Sequence, residues 1–332
     1  MPSLLFLAEP GEDYVADSLF HGLRCLLGAD AVDVPRRAPL YASHGAPESL
    51  YGRGFSIYGL LDEIEVDRSS PLERAAAGEF DLVVIGTIWR DWHWWVDAWR
   101  AAWPGARYAV VDGADVQWMY PYGPTWWKHP RLWGLPRAHT RAPYFKREWS
   151  NLTGWLRWYG LMPPPLSDRI GLHPIAISYP EDKLVDVAPA KSKDFTRHVV
   201  DPEVAKRLGG ADTGYAFADE AGYTADLRES RFGVTTKRRG WDAMRHYEIA
   251  ANGAVPCFRD LRRKPPGCAP HGLADGVNCL DYRSADELIE RVGALGDGDY
   301  RRLQHGALEW VRANTTVARA RWFLEATGLQ VP

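Results

Sequence analysis

The residues best equipped for chemistry lie between Phe232 and Asp260, in the stretch FGVTTKRRGWDAMRHYEIAANGAVPCFRD. An apolar run over Phe232–Thr236 has the profile of a strand. It ends in Lys237-Arg238-Arg239-Gly240, and a helical pattern follows over Asp242–Ala251, with Gly253 suited to its C-cap. Three cations on a turn that leads into a helix suit a phosphate, because the first N–H groups of a helix are unpaired and carry partial positive charge. Arg245 and Glu248 are three residues apart and share a helix face. An arginine can clamp a pyrophosphate bidentately, and a glutamate can accept hydrogen bonds from both hydroxyls of a ribose. The same residues also fit a solvated basic loop and a surface Arg–Glu pair.

The tryptophans form a second group. Of 16 in the chain, 13 fall between Trp89 and Trp158, more than one core segment needs. Several belong to a core. Indole faces also stack on sugars, bases and planar rings, and the segment Trp118–Trp133 (WMYPYGPTWWKHPRLW) is rich in proline and irregular. Trp241, beside the cationic loop, suits stacking on a ligand or anchoring of its helix equally.

The elements that must position these residues follow from the rest of the sequence. A chain of 332 residues is long enough for two domains. Its formal charge of -3 provides no global basic field for nucleic acid. The one local basic stretch, Arg259–Lys264, suits a solvated surface better than a phosphate backbone. No apolar run reaches the ~18–20 residues of a membrane span, and MPSLLFLAEPGEDY lacks the basic flank of a signal peptide. Cys25, Cys257, Cys268 and Cys279 have neither CxxC spacing nor the density of a disulfide framework, so a cytoplasmic, metal-free protein is expected.

Apolar-rich runs at Ser3–Ala8, Phe80–Ile85 and Arg107–Asp112, with a short one at Ala31–Val34, predict buried parallel strands, with helices over Val15–Leu27 and Trp92–Trp103. Proline-rich punctuation at residues 162–180 predicts a domain junction near 165–190. Beyond it, short strands are expected at Thr213–Phe217, Val255–Phe258 and Asn278–Tyr282, and helices at Tyr223–Ser230, Ala285–Leu295 and Tyr300–Ala326. Asp112-x-x-Asp115 is read as a strand end and its loop, not a metal-binding carboxylate pair.

In order and spacing, several segments together resemble the donor-binding domain of GT-B glycosyltransferases, the group-1-type and exostosin-like branches in particular. They are Ser230–Val234, Arg245-x-x-Glu248-x-x-x-x-Gly253-x-x-Pro256, Asp275-Gly276-x-Asn278 and Ser284–Leu288. The resemblance covers residues 210–326; the first half shares only the βα rhythm. It implies an α/β protein of two Rossmann-like, doubly wound domains facing across a cleft. Residues 1–175 would form an acceptor domain with a Trp-rich insert, 176–310 a donor domain, and 311–332 a helix returning toward the first domain.

The implied activity is transfer of a sugar from a nucleotide-sugar donor, without metal or other cofactor, because cations and a helix dipole stabilise the leaving diphosphate. Glu248 falls on the glutamate that contacts the donor, Lys237, Arg238, Arg239 and Arg245 would neutralise the diphosphate, and Gly11 would allow close backbone approach. Trp118, Trp126 and Trp127 are the candidate acceptor wall. Many retaining members carry a second glutamate where this chain has Gly240, so an inverting outcome is at least as well supported. Inversion needs a general base, for which Asp13, Asp91 and His93 are candidates, with Asp112 at the same sheet edge. Asp13 suits a helix cap equally well, and His93 suits packing among tryptophans. Two other readings remain: an epimerase or hydrolase of nucleotide sugars, and a catalytically silent glycan- or nucleotide-binding protein. The acceptor, whether small molecule, glycan or nucleic-acid base, and the oligomeric state are left open.

Overall fold

The computed structural model describes residues 1–45, 49–102, 105–121, 138, 141–149, 172–210, 214 and 216–330. They divide into two compact units. Unit 1 comprises Met1–Ala176, Pro266–Ala269 and Thr316–Pro332; unit 2 comprises Ile177–Pro265 and Pro270–Thr315.

Unit 1 is built on six parallel strands: β1 (Leu4–Leu7), β2 (Ala31–Val34), β3 (Leu82–Ile85), β4 (Tyr108–Asp112), β5 (Tyr144–Lys146) and β6 (Leu172–Pro174). Their spatial order is β2-β1-β3-β4-β5-β6. LLFL, AVDV and LVVI are buried at every position, as expected of parallel strands covered on both faces. β2 lies on one side of β1 and β3 on the other, so the chain changes direction of winding between β1 and β3. In open α/β sheets the crevice outside the carboxyl ends of such a strand pair is where ligands bind.

Helices α1 (Tyr14–Leu27), α2 (Pro71–Ala76) and α3 (Trp92–Ala102) pack on this sheet. Trp103 lies outside the described residues. The α3 tryptophans divide by helical phase. Trp95 is buried in the core, Trp94 and Trp99 pack partly against it, and Trp92 is exposed.

Unit 2 carries a four-stranded parallel sheet, ordered β10-β9-β8-β7. Its strands are β7 (Lys193–Phe195), β8 (Ser230–Thr235), β9 (Val255–Arg259) and β10 (Leu280–Tyr282), and its helices are α4 (Pro202–Arg207), α5 (Glu220–Glu229), α6 (Met244–Ala251), α7 (Ala285–Gly293) and α8 (Asp297–Arg312). The strand expected at Thr213–Phe217 is not formed by Gly214, Ala216 or Phe217, its described residues. The edge position belongs instead to the polar β7, which pairs with β8 through Lys193 and Phe195. The helix expected over Tyr300–Ala326 is two helices, because the chain turns at Ala313–Thr315 before α9 (Thr316–Ala326). The side-chain amide of Asn314 donates back to Trp310 O at 2.7 Å in that turn.

Helix α9 belongs to unit 1 and packs on α1. A Cβ at Gly22 would lie 1.9 Å from the Thr316 carbonyl oxygen, so only glycine permits this approach. His21 Nδ1 lies 3.0 Å from Thr316 Oγ1 at the same crossing. Pro266–Ala269 is also tied into unit 1, where Ala269 N donates to Arg147 O at 3.0 Å. Among the described residues, no helix is long and apolar enough to cross a membrane.

Candidate functional site

The loops that leave β1 and β3 at the change in winding bring several sequence-predicted residues together, in different states. Asp13 is the N-cap of α1: its Oδ1 accepts from Val15 N and Ala16 N, each at 3.1 Å. Its Oδ2 lies 3.4 Å from Arg90 Nη2. Asp91 is fully buried, and its carboxylate accepts from the Thr87 hydroxyl. Burial pushes its pKa up, against the lowering effects of the Thr87 bond, the Glu9 amide, Arg90 and Arg37. Gly11 has φ +137°, and a Cβ there would meet Arg90 Nη1 at 3.1 Å. This turn therefore holds its shape because the residue is glycine.

His93 differs from both carboxylates. Its side chain is 39% exposed, and Nε2 lies 3.0 Å from Glu9 Oε1. Trp94 Nε1 donates to the same oxygen at 3.1 Å. A carboxylate that accepts the Nε2 proton fixes the tautomer with the lone pair on Nδ1 and stabilises the imidazolium formed when Nδ1 takes a proton. Glu9 was not among the sequence candidates for proton transfer. The signal was present, since Glu9 stands two residues beyond β1 in the Glu9-Pro10-Gly11 loop.

Further along the same sheet edge, Asp112 at the end of β4 is committed to the interior. It accepts from Lys146 Nζ at 2.8 Å, Tyr144 OH at 2.5 Å and Trp89 Nε1 at 3.1 Å. Asp112, Lys146 and Tyr144 are fully buried. Burial pulls the Lys146 amine below its usual range, while Asp112 acts in the opposite sense. Asp115 pairs with Arg147. Asp112-x-x-Asp115 is thus a structural pair of anchors, as its strand-end reading anticipated. Trp118 is half-buried; Trp126 and Trp127 lie outside the described residues.

In unit 2 the loop after β8 and helix α6 carry the second group. Glu248 is nearly buried, and Tyr223 OH donates to its Oε2 at 2.7 Å. Burial, and then the Glu248 charge, push the Tyr223 phenol well above its ordinary pKa, so it stays a donor. Arg245 donates Nη1 to Tyr223 OH at 3.0 Å, Nε to Val234 O at 2.9 Å and Nη2 to His198 O at 2.6 Å. Arg245 and Glu248 therefore meet through one tyrosine hydroxyl, and the guanidinium expected on a diphosphate ties strand β8 to the loop after β7.

The cationic loop is exposed at Lys237, Arg238 and Arg239. Arg238 and Arg239 form no ion pair among the described residues. Lys237 Nζ lies 5.1 Å from the Trp241 ring centroid. Trp241 is buried and packs against Phe258 at 6.2 Å, which is the anchoring alternative for that residue. Helix α6 starts at Met244, two residues later than expected, because Asp242 is used otherwise: Oδ2 accepts from Ile177 N at 2.8 Å and Oδ1 from Tyr247 OH at 3.0 Å. Gly253, at φ +70°, follows the C-cap Asn252. The loop is pinned from below by His246, whose Nε2 lies 2.9 Å from Trp241 O and whose Nδ1 lies 2.8 Å from Thr235 Oγ1. Burial lowers the His246 pKa to about 4, so near neutral pH the ring is uncharged. Tyr223, His198 and His246 were not found from the sequence.

This architecture is similar to that of Anabaena HepE crystallised with UDP-glucose, at 9% identity and TM-score 0.53, covering 99% of this chain and 100% of that chain. It is similar to HepE with UDP, at 10% identity and TM-score 0.56, covering 98% of this chain and 99% of that one. A glycosyltransferase from Rickettsia africae ESF-5 is similar at 10% identity and TM-score 0.53, covering 98% of each chain. The chain has the GT-B fold. No protein-family profile matches it, and no curated protein matches it in sequence. The GT-B likeness, read first from short segments of residues 210–326, therefore extends over nearly the whole chain at the level of fold.

Proposed function

We propose that the protein is a glycosyltransferase that moves a sugar from a nucleotide-sugar donor to an acceptor hydroxyl with inversion. The observation that carries this reading is the whole-length likeness to a chain that holds UDP-glucose. In unit 2, Glu248, fixed by Tyr223, accepts hydrogen bonds from donor hydroxyls. Lys237, Arg238 and Arg239 stabilise the charge that develops on the leaving diphosphate, without a metal ion. Arg245 acts through its neighbours by holding the loops in place.

In unit 1, His93 is the general base, favoured over Asp13 and Asp91 because its ring is accessible and already oriented by Glu9. His93 Nδ1 takes the acceptor hydroxyl proton, and the hydroxyl oxygen forms a bond to the anomeric carbon. The bond from that carbon to the diphosphate oxygen breaks, and the nucleoside diphosphate leaves with the electron pair. The imidazolium is stabilised by Glu9 and later returns its proton to solvent.

The test is calorimetric titration of UDP, GDP, ADP and dTDP in EDTA, using the intact protein and Glu248→Ala. One nucleotide is expected to bind without metal. Glu248→Ala is expected to weaken its nucleotide sugar about tenfold or more, the equivalent of a charge-assisted hydrogen bond. Binding that appears only after magnesium or manganese is added would refute metal independence. Unchanged donor affinity in a folded Glu248→Ala protein would remove Glu248 from the site.

A further inference from the structure

We infer that the mouth of the unit 1 sheet is a carbohydrate site, and that the acceptor is a glycan with one pyranose ring on Trp92 and another on Tyr51. The inference rests on the glycosyltransfer reading above and gives its acceptor a chemical class.

Trp92 is 41% exposed and Tyr51 is 52% exposed, and they are the two exposed aromatic rings among the described residues. A single exposed aromatic is ordinary, but these two flank one feature. Trp92 meets the His93 ring edge-on at a centroid distance of 6.3 Å. Tyr51 donates its backbone N–H to Glu12 Oε2 at 3.2 Å, and its ring lies 5.7 Å from that of Tyr14, the first residue of α1. Arg90 joins the two sides: Nη1 donates to Glu12 O at 3.3 Å, and Nη2 reaches Asp13 Oδ2 at 3.4 Å. Both rings therefore border the loops after β1 and β3, where Glu9 and His93 sit.

The chemistry of this border fits a sugar. A pyranose has apolar C–H faces that lie on the electron-rich face of an indole or phenol, and a rim of hydroxyls that donate to carboxylates. The loops that carry or meet the two rings also bear Glu9, Glu12, Asp13 and Arg90, which can serve such a rim. A flat aromatic acceptor would require an apolar slot there and would leave these charges unpaired or desolvated. A ring seated on Trp92 would present its edge to His93, so the platform also selects the hydroxyl that is activated.

The experiment applies the full chain to an array of immobilised oligosaccharides, alongside calorimetry with the four nucleoside diphosphates. Retention on a subset of glycans is expected. Trp92→Ala and Tyr51→Ala should each weaken that retention by about tenfold or more, with Trp92→Phe restoring part of it and nucleotide affinity unchanged. No retention on any glycan, or equal retention by the Trp92→Ala/Tyr51→Ala double variant, overturns the proposal even when a nucleotide binds. Glycan retention that is lost in these variants, with no nucleotide bound, supports the carbohydrate site and overturns the donor reading of unit 2.

Discussion

Two carboxylates at the same edge of the unit 1 sheet have opposite fates. Asp112, beyond β4, is sealed among Lys146, Tyr144 and Trp89, and no part of it reaches solvent. Glu9, beyond β1, keeps 41% of its side chain exposed while it orients His93 and Trp94. The difference follows from strand order. Beyond β4 the winding continues in one direction, and β5 brings Tyr144 and Lys146 over the strand end. Between β1 and β3 the winding reverses, and the two loops meet through the partly exposed side chains of Glu9, Arg90 and His93. At the crevice a polar side chain such as Glu9 can stay exposed, although Asp91 in the loop after β3 is buried on Thr87, whereas beyond β4 Asp112 becomes an internal strut.

The strongest way to break this comparison is to remove one member from each place. His93→Ala should reduce turnover by about 10²–10⁴-fold, the usual contribution of a general base. Its melting temperature and nucleotide affinity should change little. Wild-type turnover in His93→Ala would move the base elsewhere. Lys146→Ala should do the reverse. It leaves Asp112 buried without its cation, which typically costs about 3–5 kcal/mol of stability. Urea unfolding measures that loss, and a change below ~1 kcal/mol would show that the network is not sealed as described.

A smaller effect sharpens the comparison by asking whether a buried polar strut also supports unit 2. The folded-state pKa of His246 is depressed to about 4 from 6.5. The unfolded chain therefore takes up the proton first as pH falls. Stability from this group is complete above pH 6.5 and is lost progressively as pH falls from there to about 4. The total is about 3 kcal/mol at 1.36 kcal/mol per pH unit. Unfolding titrations at pH 7 and pH 4.5 should show most of this loss in the wild type and not in His246→Gln. Equal pH dependence in both proteins would mean that His246 is not the responsible group.

The parallel strands and the βα rhythm were legible because LLFL and LVVI are continuous apolar runs and AVDV is apolar except for Asp33. Strands β5, β6 and β7 were not: YFK, LHP and KDF are only three residues long, too short for a hydrophobic pattern to single them out. The strand expected at Thr213–Phe217 is not formed by its described residues, and the sheet edge beside β8 is taken by the polar β7, which carries little hydrophobic signal. Among the candidate site residues, Glu248 stands out in the sequence by its spacing to Gly253 and Pro256. Its support does not, because Tyr223 comes from 25 residues away and Arg245 reaches a carbonyl 47 residues distant. His93 was one of three candidate bases in the sequence. Only geometry separates it from Asp13, which caps a helix, and from Asp91, which is buried.

The glycine crossing between α1 and α9 also bears on the order in which the protein can assemble. Unit 1 begins with Met1, yet its last helix starts at Thr316, so in sequence the bulk of unit 2 is an insertion within unit 1. A ribosome delivers α1 early, and the face that carries Gly22 must wait uncovered while unit 2 is synthesised. Unit 2 has all its strands in hand before residues 316–326 emerge and can fold as a unit at that stage. The domain that starts the chain is then the one that finishes folding last.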